Sequence, residues 1–283
     1  MKKFFSVFVI IAIILQACFL SANAFDDNGK KNLLVLGDSI AAGTGIVCPE
    51  ECCYGALIAK ANDYNYCNTA FSGANSWDLV ANVEYSPTDE RIFYTVQKVI
   101  ESDIILISIG GNDLLGGDWV EMVNQALFDN NYAMINLMTE WFYENIKEAV
   151  MYINEANPDA TVLIQTLYNP RFDVLANVYQ HAIDNLNQKI YQAAQELPGY
   201  FYIVDVASCL GRNPLYYSVD TLHPSKLGHY RIAKAYLNAL NELGLGEELI
   251  PPRQPTAFEI PDYFDRLMEV IEEYLNYIEG FLT

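Results

Sequence analysis

A three-layer α/β/α domain around a mostly parallel, doubly wound sheet is the architecture this sequence predicts. Two observations lead there. Apolar runs of strand length alternate with longer stretches of helical periodicity, the order that builds a parallel sheet through crossover helices. Three of the runs, at 32–36 (NLLVL), 104–109 (IILISI) and 161–165 (TVLIQ), are almost continuously apolar, as strands covered on both faces must be.

The chain opens on a short basic stretch, Met1-Lys2-Lys3, followed by an apolar run over 4–20 and the small-x-small triplet Ala22-Asn23-Ala24. Residues 1–24 therefore read as a secretory signal, and the folded domain is expected over 25–249. A competing pattern, Leu15-Gln16-Ala17-Cys18, resembles a lipobox whose cysteine would hold the protein at the cell surface. An uncleaved anchor is a third reading, for which the apolar run is marginal in length. The expected location is extracellular, with lipid anchoring through Cys18 as the alternative. Loss of the signal removes Lys2 and Lys3 and no acid, leaving 14 basic residues against 36 acidic ones, a formal charge of −22. Such a surface repels nucleic acid and anionic headgroups, so neither is expected as a partner, and the mature domain should not dock stably on a membrane unless Cys18 is lipidated.

Further strands are expected at 66–70 and 200–206, with helices at 55–62, 76–83, 91–102, 119–156, 173–196 and 225–243. The fourth helix is long, and Asp129-Asn130-Asn131 inside it predicts a break into two. Past the last helix, Pro251, Pro252, Pro255 and Pro261 stiffen a connector. Phe264, Leu267, Ile271, Tyr274, Ile278 and Phe281 then fall on one stripe of an amphipathic helix, so 250–283 is expected to be a connector and a helix that packs back on the domain, with self-association as the alternative.

Cys48, Cys52, Cys53, Cys67 and Cys209 remain after the signal. Clustered cysteines in an exported chain tend to be bridged, an odd number leaves at least one thiol, and spacing alone does not give the pairing. A zinc site on Cys48, Cys52, Cys53 and Cys67 competes with a loop disulfide, but it lacks paired C-x-x-C spacing and a neighbouring histidine, so no metal is expected.

In an open parallel sheet the loops that follow the strands gather at one edge. Gly37-Asp38-Ser39-Ile40 follows the first strand, Ser72-Gly73-Ala74-Asn75 the second, Gly110-Gly111-Asn112-Asp113 the third, and Asp220 to His223 lies beyond the fifth. A serine hydroxyl becomes a nucleophile only when a neighbour accepts its proton, which imidazole does well, and a carboxylate three residues before a histidine can orient the ring through a turn. Taken singly, each residue also has an ordinary role: Ser39 as cap of a helix starting at Ile40, Gly73 as a left-handed turn, Asn112 and Asp113 as turn or capping residues. Asp38 and Asp113 are assigned only such local hydrogen bonding. His181, in a helical pattern, and His229, in a helix that Pro224 starts, are expected to be structural.

GDSI, FSGANS, GGND and DTLHP, each behind a predicted strand, resemble in that order the four blocks of the SGNH subgroup of GDSL hydrolases, over roughly 32–243. The resemblance implies a flavodoxin-like sheet and an ester hydrolase, esterase or lipase, that works through an acyl-enzyme without a cofactor. In that scheme Ser39 is the nucleophile, His223 the general base and Asp220 the group that fixes its tautomer. The backbone N–H groups of Ser39 and Gly73 and the side-chain amide of Asn112 form the oxyanion hole. The substrate stays open, since such enzymes include lipases, lysophospholipases, thioesterases and carbohydrate deacetylases. The acidic surface favours a small-molecule or carbohydrate ester over bulk lipid. Trp77, Trp119, Tyr168, Tyr216 and Tyr217 are candidates for a sugar platform or for core filling. Two readings from other classes compete: a non-catalytic cell-surface binding module on the same fold, and a nucleotide or flavin binder. Against the second, GDSIAAGTG stands where a G-x-G-x-x-G would follow the first strand. A serine hydrolase of another architecture is poorly supported as well, since no serine lies in a G-x-S-x-G elbow.

Overall fold

Five strands form the sheet of the computed structural model: β1 (Asn32–Gly37), β2 (Asn65–Asn68), β3 (Ile104–Ser108), β4 (Thr161–Gln165) and β5 (Tyr202–Val204). They pair in the order β2-β1-β3-β4-β5 and every pairing is parallel. The structure describes residues 25, 28–84, 86, 88–115 and 119–246; the expected signal, the proline-rich connector and the amphipathic stripe lie outside the described residues. Among the described residues no helix is long and apolar enough to cross a membrane.

The continuously apolar runs do what their composition requires. Side chains alternate across a strand, so Leu33, Val35, Ile104, Leu106 and Leu163 enter one core and Leu34, Leu36, Ile105, Ile107 and Ile164 the other. In chain order the helices are α1 (Ser39–Ala42), α2 (Pro49–Cys52), α3 (Tyr54–Asn62), α4 (Ser76–Val83), α5 (Glu90–Glu101), α6 (Trp119–Phe128), α7 (Ala133–Ala156), α8 (Ala176–Glu196), α9 (Val206–Leu210) and α10 (Lys226–Glu242). Buried residues of α1, α3, α9 and α10 pack in the first core, and those of α4 to α8 in the second. This is the three-layer α/β/α arrangement expected from the sequence.

Element ends shift for local reasons. The long helical stretch breaks as predicted, with Asn130 left-handed at φ 51° between α6 and α7. Strand β5 stops before the expected 206 because the Asp205 side chain accepts from Ser208 N–H and starts α9 there. Pro224 does not begin the last helix: Ser225 caps it, accepting from Gly228 N–H at 3.2 Å, so the proline precedes the cap. The short helix α2 is not legible in the sequence; it brings Cys48 and Cys52 to a Cα separation of 5.4 Å, and they are bridged. Cys53, Cys67 and Cys209 are thiols, so clustering produces one bridge and not two. Cys53 and Cys67 meet the Tyr66 and Tyr94 hydroxyls at 3.1 and 3.5 Å.

Candidate active site

Gly37 sets the geometry of the first loop. Its φ is +133°, and a Cβ there would lie 1.9 Å from the Ser108 carbonyl oxygen, so only glycine lets the ends of β1 and β3 approach this closely. Asp38 N–H donates to that carbonyl at 2.9 Å, and the chain then turns into α1. The capping role considered for Ser39 belongs instead to Asp38, whose carboxylate accepts from Ile40 N–H at 3.0 Å. Ser39 is the first helical residue, its hydroxyl released from capping.

Ser39 Oγ lies 2.8 Å from His223 Nε2, although 184 residues separate them. His223 Nδ1 lies 2.7 Å from Asp220 Oδ2. The other oxygen of Asp220 accepts from the Ser218 hydroxyl at 2.6 Å and from the backbone N–H groups of Leu222 and His223 at 2.9 Å each. Burial works against ionisation of Asp220, but the hydrogen bonds from the His223 ring, Ser218 and the two backbone groups outweigh it and hold the carboxyl well below the usual range. The loop is fixed from behind as well: Tyr168 donates its hydroxyl to the Leu222 carbonyl at 3.1 Å, and Ser218 N–H donates to the His223 carbonyl at 2.8 Å.

The second and third loops meet through Asn112, whose Nδ2 donates to the Ala74 carbonyl at 2.7 Å. An amide nitrogen carries two hydrogens, so this bond fixes the side chain and leaves one N–H for a ligand. Gly73 is left-handed at φ +87° and exposed, and its turn is tied to the segment after α1 by the Thr44 and Ser72 hydroxyls, 2.7 Å apart. Ser39, Asn112 and His223 line one pocket; Gly73 stands outside its wall. Asp113 does cap, but at long range, accepting from the backbone N–H and the hydroxyl of Ser76 at the start of α4.

Residues 35–231 match the model of the GDSL-like lipase/acylhydrolase family. The chain belongs to that family. It is an ester hydrolase. No curated protein matches the sequence. Among solved structures, a lipase from a goat rumen metagenome shares 20% identity at a TM-score of 0.60, covering 77% of this chain and 99% of its own. An extracellular lipase from Streptomyces rimosus shares 19% at 0.55, covering 75% and 99%. A variant of an acetyl xylan esterase from Geobacillus stearothermophilus shares 20% at 0.53, covering 81% and 100%. At these identities the likeness is one of fold.

The pocket of this GDSL hydrolase is an open cavity of about 70 Å³, and Ile109, Leu114, Leu167 and Ile183 make much of its wall apolar. Tyr168 lines it too, whereas Tyr217 is buried against Tyr168 with ring centroids 5.5 Å apart and serves the core, not a sugar platform. Trp77 and Trp119 are exposed. His229 is fully buried, stacked near Tyr54, and accepts from Tyr54 N–H at 3.4 Å; burial lowers its pKa to about 3 and keeps it neutral. His181 packs on Tyr132 at 4.1 Å between centroids. Both are structural, as expected.

Sequence reasoning missed a buried polar row at the pocket wall. Gln165 Nε2 donates to Ser108 Oγ at 2.9 Å, and Ser108 Oγ sits 3.5 Å from Asp38 Oδ1. Burial pushes the Asp38 carboxyl from 3.8 up to about 7, against the backbone hydrogen bonds that favour its charge. Below pH 3.8 folded and unfolded chains both hold this proton; between about 4 and 7 only the folded chain does, so this contribution to stability is lost as pH rises to about 7. The loss is of the order of 4 kcal/mol. Asp38→Asn removes the titration, and urea unfolding at pH 4 and pH 7.5 should show the variant gaining on the parent by that order. An equal difference at both pH values would mean that Asp38 ionises freely in the fold.

Proposed function

We propose that this hydrolase is an exported serine esterase, cleaving esters of short acyl groups or acetyl esters of carbohydrates through an acyl-enzyme at Ser39. The observation that carries the proposal is the continuous contact from Ser39 Oγ through the His223 ring to Asp220, at 2.8 and 2.7 Å. As Oγ attacks the carbonyl carbon, its proton passes to Nε2 and the carbonyl electrons move onto oxygen. The N–H groups of Ser39 and Gly73 and the remaining N–H of Asn112 are assigned to that oxyanion. No backbone carbonyl takes the N–H of Ser39 or Gly73 among the described residues. Collapse expels the alcohol, which takes the proton from imidazolium; water then enters by the same route and releases the acid. Side chains, substrate and water supply every proton and electron pair in these steps, so the proposal includes no metal or organic cofactor.

Export rests on residues 1–24, and surface anchoring through Cys18 is the alternative. The short-acyl or sugar preference is supported by the charge of −20 and by the acetyl xylan esterase among the structural neighbours. A lysophospholipase, lipase or thioesterase reading draws on one observation, the exposure of Leu115 and Leu222 where they line the pocket. A non-catalytic binding module is the reading from another class. Fluorophosphonate labelling with peptide mapping separates the last, since only an activated serine reacts. The label is expected on Ser39, with the highest kcat/KM on acetylated xylooligosaccharide or 4-nitrophenyl acetate rather than an octanoate or micellar lysophospholipid. Absence of label would remove the serine mechanism, and a lysophospholipid preference would replace the substrate.

A further inference from the structure

We infer that the pocket beside Ser39 is built for an ester carrying a free hydroxyl group, which donates to Gln165 Oε1. The inference rests on the serine esterase reading and adds the feature by which the substrate is selected. Gln165 closes β4, is 2% exposed, and lines the same pocket as Ser39 and His223. Its nitrogen is committed to Ser108 Oγ, which fixes the carboxamide. Its oxygen, buried, has no hydrogen-bond partner among the described residues. Buried amide oxygens are nearly always paired, and leaving one unpaired is costly. At the wall of a binding pocket, a donor on the ligand is the partner that resolves it.

Three neighbouring polar groups of that wall are already engaged. The Tyr168 hydroxyl donates to the Leu222 carbonyl, Ser108 holds the Gln165 nitrogen, and Asp38 caps α1. Leu167 and Ile183 beside Gln165 in the pocket offer a hydroxyl nothing. Strands β1 and β4 flank β3, two strand spacings or about 10 Å apart. The selected hydroxyl therefore lies only a few bonds from the ester carbonyl, either on the acyl chain or on an alcohol such as a sugar.

Matched ester pairs separate these sources. Methyl 3-hydroxybutanoate against methyl butanoate tests the acyl side, and 2-hydroxyethyl acetate against propyl acetate tests the alcohol side. The parent protein should favour the hydroxylated member of one pair by about tenfold or more in kcat/KM, because the plain member leaves the oxygen unpaired. Gln165→Met, similar in size but without the acceptor, should bring that ratio close to one, with thermal unfolding as the check that it folds. If the parent turns over the plain esters and shows no preference in either pair, water satisfies Gln165 and the inference is wrong, whether or not the variant folds. A folded Gln165→Met that keeps the preference overturns it equally. No turnover of any ester together with no label on Ser39 would instead remove the serine esterase reading, and this inference with it.

Discussion

Ser39→Ala is expected to lower kcat on a short-chain aryl ester by roughly 10⁴- to 10⁶-fold, while the protein stays folded. The methyl group has no lone pair to form the acyl bond, so what remains is whatever rate the oxyanion donors and binding give to attack by water. Stability should barely change. Asp38, not Ser39, caps α1, so the substitution removes one partly exposed hydrogen bond to His223, a loss of about 1 kcal/mol. Turnover and thermal unfolding measured on the same preparation check both halves. A variant within tenfold of the parent rate would mean that the hydroxyl is not the nucleophile, however well placed it is beside the imidazole.

That placement was readable from the chain because each motif follows a strand whose identity is plain. NLLVL, IILISI and TVLIQ are buried on both faces, and β1, β3 and β4 form where those runs stand. The edges were harder. Strand β5 has three residues, Tyr202 among them exposed, and its end is decided by the Asp205 cap rather than by hydrophobicity. Strand β2 has no fully buried residue and runs Asn65–Asn68, earlier than the expected 66–70. Within the site, Ser39, Asp220 and His223 come together in the contacts their chemistry requires, whereas Gly73 stands outside the pocket wall. Gln165 was invisible as a site residue. A glutamine at the end of an apolar run reads as the place where a strand meets solvent, and only the neighbouring strand ends turn it into a buried wall residue. Asp113 was expected to bond locally and instead reaches Ser76, because the turn after β3 packs beside the start of α4.

The three bonds that Asp220 Oδ1 accepts also determine what its amide replacement should do. In Asp220→Asn the carboxamide oxygen can keep the Ser218, Leu222 and His223 donors, which preserves the loop and directs the NH₂ at His223 Nδ1. An N–H donor facing Nδ1 selects the tautomer with its proton on Nε2. That nitrogen would then donate to Ser39 Oγ across the same 2.8 Å instead of accepting from it, so the base is disarmed while the geometry stays intact. The carboxylate charge that steadies imidazolium is lost as well. Together these should lower kcat by about 10³- to 10⁴-fold, with little change in KM or in the unfolding temperature. Nitrogen-15 NMR of the histidines gives a readout that simple loosening of the loop would not move: the parent should carry the His223 proton on Nδ1 and the variant on Nε2. A variant with the parent kcat, or one that is slow yet keeps the parent tautomer, would show that Asp220 does not set the state of the base.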